Sequence, residues 1–357
     1  MGLISKKRIF SSEGRIGGAG PFGGADIVRS GDGLEDVAST SPEVSCRLGG
    51  DEVREAAVVG SSRWAVEGAP LRRASRDELV SLLPFPAKDA NKYTRGKLTL
   101  VAGSDRYPGA ACLAALAASR MGTGYIETVA PSKVKPLLVA CSPSLVVTTR
   151  KKWDTFGVAS SREGRPQAVC IGPGFDSDED DTAVLVLDVL DKAACPVLVD
   201  GSALSVLATK KGRRLLKRRF ERGWATVVTP HGGEAVRLAE PFGFSEGNPS
   251  RLATLISLAY GVTVVLKGPD TFVSDGECTY VVTEGTPDLA KAGTGDVLAG
   301  MASALLAQGV APLQAGVLAA TLHALAGRAA GQRYTSFGVR AEDVADCVPQ
   351  AIVELIG

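Results

Sequence analysis

The amino-acid sequence predicts an α/β protein with a mostly parallel central sheet covered by helices on both faces. Three observations carry that prediction. From Gly96 onward, short aliphatic runs alternate with longer helical stretches. Runs such as KLTLVAG, QAVCIG, CPVLVD and VTVVLKG are apolar at consecutive positions rather than alternate ones, so neither face of the strand meets water. Each run closes in Gly, Pro or a polar cluster, as a strand entering a turn does.

The elements follow in order. SRDELVSLLP, from Ser75, offers an N-cap serine, acids in the first turn and a proline stop. KLTLVAG (97–103) reads as a strand. PGAACLAALAASRMG (108–122) begins with proline and ends in glycine, a helix signature at both ends. YIETVA, SLVVTT and QAVCIG are further strands, DDTAVLVLDVLDKA a helix, CPVLVD and ATVVTP strands again. LATLISLAYG and VTVVLKG make another helix–strand step, and from Asp296 the chain is almost all helical, through VLAGMASALLAQG, LQAGVLAATLHALAG and AEDVADCVPQAIVELIG.

Residues 1–75 are rich in glycine and charge and show no sustained period, so an irregular, flexible extension is expected there and a single domain over 76–357. The extension contains a formal GxGxxG at Gly18, Gly20 and Gly23. A dinucleotide site needs a strand before that motif and a helix after it; here there is neither, and Pro21 interrupts it.

Composition excludes several classes. The net charge of +1 provides no field to recruit nucleic acid or an anionic membrane. No apolar run reaches the roughly 18 residues of a membrane span. The basic N-terminus lacks the apolar core of a secretory signal, Lys6 breaks the myristoylation pattern, and Glu13, Asp26, Asp32 and Glu35 argue against a transit peptide. The seven cysteines are scattered without a CxxC pair and the only histidines are His231 and His323, so no metal site is identified and a cytoplasmic location is expected.

In parallel α/β folds ligands collect beyond the carboxyl ends of the strands. Five turns there are unusual: Ser104–Ala111, Gly172-Pro173-Gly174, Pro230-His231-Gly232-Gly233-Glu234, Lys267-Gly268-Pro269-Asp270-Thr271, and KAGTGDVLAG at 291–300. Each has an ordinary use: turn glycines, a surface histidine, a first-turn acid, a solvated lysine, and an aspartate as N-cap. Their common position at one edge of the sheet favours a site. Gly293, Gly295 and the first amides of the next helix form a nest for phosphate. A carboxylate, Asp296, is a poor binder beside polyphosphate but a sensible base for a substrate hydroxyl, or a metal-linked group.

These motifs in this order resemble the ribokinase-like superfamily, whose GTGD loop forms an anion hole with a catalytic Asp. GSDRYPGAACLAALAASRMGTG (103–124), IGPG (171–174), TPHGGE (229–234), VLKGPDT (265–271) and KAGTGDVLAG (291–300) together resemble the ADP/ATP-dependent NAD(P)H-hydrate dehydratases over residues 76–357. The resemblance implies that Ala110, Gly174, His231 and Asp296 contact the hydrated nicotinamide nucleotide. It implies that Lys267, Gly268, Pro269, Asp270, Thr271 and Gly295 hold the adenine nucleotide, that Gly293, Thr294 and Gly295 form the anion hole, and that Asp296 is the catalytic base. The reaction it implies is a hydro-lyase step: the hydroxyl of NADH hydrate or NADPH hydrate is phosphorylated and phosphate is eliminated. ADP, less so ATP, would be the co-substrate, with Mg2+. The resemblance also implies a homotetramer; a functional link to a separate NAD(P)H-hydrate epimerase is expected because seventy-five irregular residues are too few for a fused epimerase domain. The chain departs from the family pattern at Gly232 (usually proline), at Ala292 (usually glycine), and at Ser202, where a second acid is usual after Asp200. Two other readings remain: a kinase of the same fold acting on hydroxymethylpyrimidine, hydroxyethylthiazole or pyridoxal, and a nucleotide-binding regulator without turnover.

Overall fold

The computed structural model describes residues 50–53, 70–154, 164–178 and 181–357. The glycine motif at 18–23 lies outside the described residues. Strands β1 (Gly50–Val53) and β2 (Leu71–Ala74) pair antiparallel. They fall within the first seventy-five residues, where no element was expected, since four-residue strands are too short for a period to register. Helix α1 (Arg76–Ser81) follows with a capping box: Ser75 Oγ accepts from Glu78 N, and the Glu78 carboxylate accepts from Ser75 N at 2.6 Å.

The alternation then runs β3 (Lys97–Val101), α2 (Pro108–Arg120), β4 (Tyr125–Ala130), α3 (Lys135–Cys141), β5 (Val146–Thr149), β6 (Gln167–Ile171), α4 (Thr182–Lys192) and β7 (Val197–Val199). It continues with α5 (Ala203–Leu207), α6 (Lys210–Glu221), β8 (Thr226–Val228), α7 (Gly232–Ala239), α8 (Pro249–Tyr260) and β9 (Thr263–Leu266). A hairpin, β10 (Thr271–Ser274) and β11 (Thr279–Val282), precedes α9 (Thr294–Ala307), α10 (Pro312–Gly338) and α11 (Ala341–Ile356). The hairpin was not anticipated, although its turn carries a strong signal: Gly276 at φ 93°, with the Asp275 carboxylate accepting from Glu277 N and Cys278 N.

The described strands form one sheet in the order β1-β2-β11-β10-β9-β8-β7-β6-β3-β4-β5. Pairing is parallel throughout from β9 to β5; β10 runs antiparallel between β9 and β11. The chain builds outward from β3 to β4 and β5, then returns to place β6 on the other side of β3. That is a topological switch point, where the loops after β3 and β6 part and leave a crevice.

Side chains alternate between two cores. Leu98, Leu100, Ala168, Cys170, Leu198 and Val265 face the layer of α2, α9, α10 and α11. Val101, Val169, Ile171, Val199, Val228 and Val264 face the layer of α4 to α8. In the first layer small residues bring helices close: a Cβ on Gly300 of α9 would lie 2.2 Å from the carbonyl oxygen of Ala114 in α2. In the second, Arg219 of α6 is buried without a carboxylate partner among the described residues. Its guanidinium donates to the carbonyls of Ala193, Cys195 and Ala225 and to Thr226 Oγ1 at 2.6–3.0 Å, and burial pushes its pKa down to about 10.

Because backbone blocks the site, Gly300→Ala is expected to destabilise the fold by about 1–3 kcal/mol despite alanine's better helix propensity. Urea denaturation checks it; an unchanged or raised midpoint would mean that α2 and α9 can separate freely.

Candidate active site

The five turns singled out above lie at the carboxyl edge of the parallel strands. At the switch point, Gly103 N donates to Pro173 O at 2.8 Å and Gly103 O accepts from Arg150 Nη2 at 2.6 Å. Gly174, at φ 67°, leaves no room for a side chain, since its Cβ would sit 2.4 Å from the Cβ of Ala110. Gly172, at φ 116°, rides on the Asp200 carbonyl, where a Cβ would approach to 2.0 Å. Ala110 and Gly174 are therefore neighbours, and small residues on both sides bring the α2 N-terminus against the β6 loop.

Three successive strand ends are tied together by one carboxylate. Asp200, after β7 and almost fully buried, accepts from Thr229 Oγ1 at 2.5 Å and from Lys267 Nζ at 2.9 Å. Thr229 follows β8 and Lys267 follows β9. Burial pulls the Lys267 pKa down, but Asp200, Glu234 and Asp296 together pull it up, and the net shift is upward. This lysine is a fixed cation. Neither Asp200 nor Thr229 was assigned a role by sequence; the hydrophobic runs that end in Asp200 and Thr229 were the available signal.

His231 caps α7. Its Nδ1 accepts from Gly233 N at 3.0 Å, and its own N–H donates to the Glu234 carboxylate at 2.8 Å. The imidazole stays exposed, with Nε2 3.6 Å from Glu234 Oε1. A side chain at Gly232 would meet nothing within 4 Å, and the capping box keeps the turn where proline is usual.

The loop before α9 turns on Gly293, at φ 95°, wedged between Leu113 and Ala341. Thr294 Oγ1 donates to the carbonyls of Leu289 and Lys291 at 2.8 and 2.9 Å, and Lys291 Nζ donates to those of Phe337 and Val339 at 2.9 and 2.6 Å. The first amides of a helix lack intrahelical partners. Those of α9 lie beside Lys267, whose Nζ would be 3.5 Å from a Cβ on Gly295. Asp296 follows in the first turn. Burial, then the charge of Asp200, push its carboxyl up to about 7 against the opposing pull of Lys267. Amides, a held ammonium and a carboxyl titrating near neutrality can bind a polyphosphate and accept a proton from a hydroxyl beside it.

Of the segment 267–271, Lys267 joins this cluster. Gly268, Pro269 and Asp270 are exposed, and Thr271 begins β10. Asp270 lines a neighbouring cleft with Arg73, Asn248 and Phe272. Among the described residues no group of His, Cys, Asp or Glu converges to hold a metal ion.

The class these features define is the ribokinase-like α/β fold, and a structure of a ribokinase-like superfamily protein from Enterococcus faecalis shares it with a TM-score of 0.66 over 83% of this chain and 99% of that one at 23% identity. The ADP/ATP-dependent NAD(P)H-hydrate dehydratase from Bacillus subtilis, co-crystallized with ATP and Mg2+, superposes with a TM-score of 0.67, 26% identity and coverage of 82% of this chain and all of that one. The family model for NAD(P)H-hydrate dehydratase matches residues 98–350, and the chain belongs to that family. It is 31% identical to the ADP-dependent (S)-NAD(P)H-hydrate dehydratase of Cenarchaeum symbiosum, aligned over 79% of this chain and 96% of that protein. It is 32% identical to the bifunctional NAD(P)H-hydrate repair enzyme of Synechocystis over 81% of this chain, but spans only 55% of that protein.

Two predictions follow from the geometry. Asp296 binds its proton more tightly folded than unfolded, so its contribution to stability is full below about pH 4 and is lost as pH rises through about 7. Asp296→Asn should therefore be more stable than the parent at pH 8, by on the order of 2 kcal/mol, with the gain shrinking toward pH 5. Urea titrations across that range check it, and a pH-independent difference would contradict the electrostatics. Separately, Gly232→Pro should raise stability by about 0.5–1 kcal/mol, because the first helical position suits proline and His231, at ψ 170°, is already extended. A lowered melting temperature would show that the Gly232 amide is needed.

Proposed function

We propose that this protein repairs hydrated NADH and NADPH by nucleotide-dependent dehydration, with ADP as the phosphoryl donor. The observation that carries the reading is Asp296, a carboxyl raised to about 7 at the mouth of the α9 amides and within the field of Lys267. In the proposed sequence Asp296 takes the proton of the hydrate's hydroxyl as its oxygen attacks the terminal phosphorus of ADP. AMP leaves, the α9 amides and Lys267 stabilising the charge. The ring nitrogen then expels the phosphate, a better leaving group than hydroxide, and loss of a ring proton restores the reduced nicotinamide. Ala110, Gly174 and His231 are proposed to contact the hydrate; Lys267 to Thr271, with Gly295, the adenine nucleotide; and Gly293, Thr294 and Gly295 the anion.

ADP is preferred because the Cenarchaeum and Xanthomonas relatives, of which this chain covers 96% and 91%, are ADP-dependent enzymes. The Bacillus neighbour is ADP/ATP-dependent, so ATP remains the alternative donor. Magnesium is proposed to arrive on the polyphosphate: Lys267 already lies among the carboxylates of Asp200, Glu234 and Asp296, which do not form a cation site by themselves. A homotetramer is proposed, with the fully exposed Phe337 and the exposed Val353 and Ile356 as apolar surface that assembly would cover. An NAD(P)H-hydrate epimerase is the proposed companion activity, in keeping with the bifunctional repair enzymes among the relatives. A cytoplasmic setting is proposed from the free thiols of Cys112, Cys141, Cys170, Cys195 and Cys347; a disulfide at Cys278 runs the other way.

Purified protein mixed with NADH hydrate, Mg2+ and ADP should restore the absorbance band of the reduced nicotinamide. Its rate should rise with pH to a plateau above about 7, where Asp296 is ionised, and Asp296→Asn should be at least about 100-fold slower. No recovery with ADP or ATP would overturn the reading in favour of a small-molecule kinase, tested next with pyrimidine, thiazole and pyridoxal alcohols.

A further inference from the structure

Arg150 has no part in the reading so far. It follows β5, the outermost strand at one end of the described sheet, two strands from β3. Its side chain is only 10% exposed and reaches three other segments. Nη2 donates to the Gly103 carbonyl, in the turn after β3, at 2.6 Å. The guanidinium lies over the ring of Phe175, in the turn after β6, 4.6 Å from its centroid. Nη1 stands 3.7 Å from Asp181, the residue before α4, whose exposed carboxylate contributes little. A guanidinium this far from water is costly unless partners are ready for it. Here the close partners belong to the two turns that part at the switch point.

Gly103 depends on such a partner. It belongs to no helix or strand, and α2 begins only at Pro108. Its N–H is fixed by Pro173 O at 2.8 Å. With φ at 78° and no Cβ, however, the glycine leaves the next peptide free to turn about ψ. Arg150 fixes that peptide by its carbonyl. A run of short contacts follows. The hydroxyl of Ser104, fully buried, accepts from Tyr107 N at 3.0 Å, and Tyr107 begins α2 without a side-chain cap. The helix then sets Ala110 against Gly174, where a Cβ on the glycine would lie 2.4 Å from that of the alanine. The same Cβ would come within 2.7 Å of Tyr107 O and 3.4 Å of Gly103 Cα, so a small rotation at Gly103 changes the width of the crevice. Phe175, under the guanidinium, holds the other side.

We infer that Arg150 is a positioning residue, which braces the turns after β3 and β6 against each other so that Ala110 and Gly174 present a fixed opening to the hydrated nicotinamide. This rests on the dehydratase reading, in which those two residues contact the hydrate. The adenine nucleotide is placed at the turn after β9, with three strands between it and β3. Arg150 acts on the hydrate through the two turns, and its loss is felt by one substrate and not the other.

The test compares Arg150→Met, which keeps the apolar stem, with Arg150→Lys, whose ammonium can donate to one carbonyl but cannot lie flat on a ring. Steady-state kinetics on the full chain vary NADH hydrate and ADP in turn, thermal melts report folding, and calorimetry without nucleotide gives the affinity for the hydrate. Arg150→Met should raise the KM for the hydrate about 10-fold, as expected for a lost hydrogen bond from a charged donor. The KM for ADP should stay within about twofold. Arg150→Lys should lie between, with the hydrate KM raised about threefold. A parental hydrate KM in a folded Arg150→Met protein overturns the inference, and so does an equal rise in both KM values. If Arg150→Met does not fold, Arg150→Lys decides alone: a parental hydrate KM, or an ADP KM raised as much as that for the hydrate, overturns the inference. A parent that binds the hydrate without dehydrating it sinks the functional reading, while the ranking of hydrate affinities still decides the role of Arg150. A parent that binds no hydrate sinks both.

Discussion

One interaction organises the site: the ion pair of Lys267 with Asp200, closed by Thr229. It joins the ends of β7, β8 and β9 through side chains, where the backbone is also paired, Lys267 N donating to Pro230 O at 2.8 Å and Thr229 N to Val199 O at 3.2 Å. An ammonium and a carboxylate taken out of water together are tolerated only when their remaining valences are satisfied, and Thr229 supplies such a contact. The pair then imposes its field on what surrounds it. Asp200 repels a second negative charge at Asp296 and Lys267 favours one, while burial tips the balance toward the protonated acid. A carboxyl titrating near neutrality thus owes its position partly to an ion pair formed by other strands.

Backbone proximity is the second requirement. Gly172 against the Asp200 carbonyl, Gly174 against Ala110 and Gly300 against Ala114 are contacts that a single methyl group would break. They bring the α2 N-terminus, the β6 loop and the α9 N-terminus to one edge of the sheet at backbone distance. The site is lined mainly by main-chain groups and small side chains, which suits a ligand bound through amide donors.

Much of this was legible in the sequence because the relevant signals are local. Consecutive apolar residues mark a strand covered on both faces, and the turn that follows it is where to look; Gly174, His231, Lys267 and Asp296 were found that way. What escaped depends on distance through space. Nothing in KKGRRLLKRRFER distinguishes Arg219 from its basic neighbours, yet it alone meets the carbonyl ends around β7 and β8 and is buried. His323 sits in an alanine-rich helix without a neighbouring acid, and only the packing of α10 in the layer beside α9 buries it. The edge strands were too short for periodicity, and the β10–β11 hairpin was missed although Asp275-Gly276 announces its turn.

The departures from the family pattern fit the same logic. At Gly232 the rigidity that proline would give is replaced by the His231–Glu234 capping box, so the imidazole remains held by the Gly233 amide even though the next residue is permissive. At Ala292 the added methyl is exposed, and the positive φ falls on Gly293 instead, so the loop keeps its glycine where the backbone demands one. At Ser202 a carboxylate is absent from the loop after Asp200. The first acid, Asp200, keeps its place: it holds Lys267 at 2.9 Å, and its charge adds to burial in raising the Asp296 carboxyl to about 7.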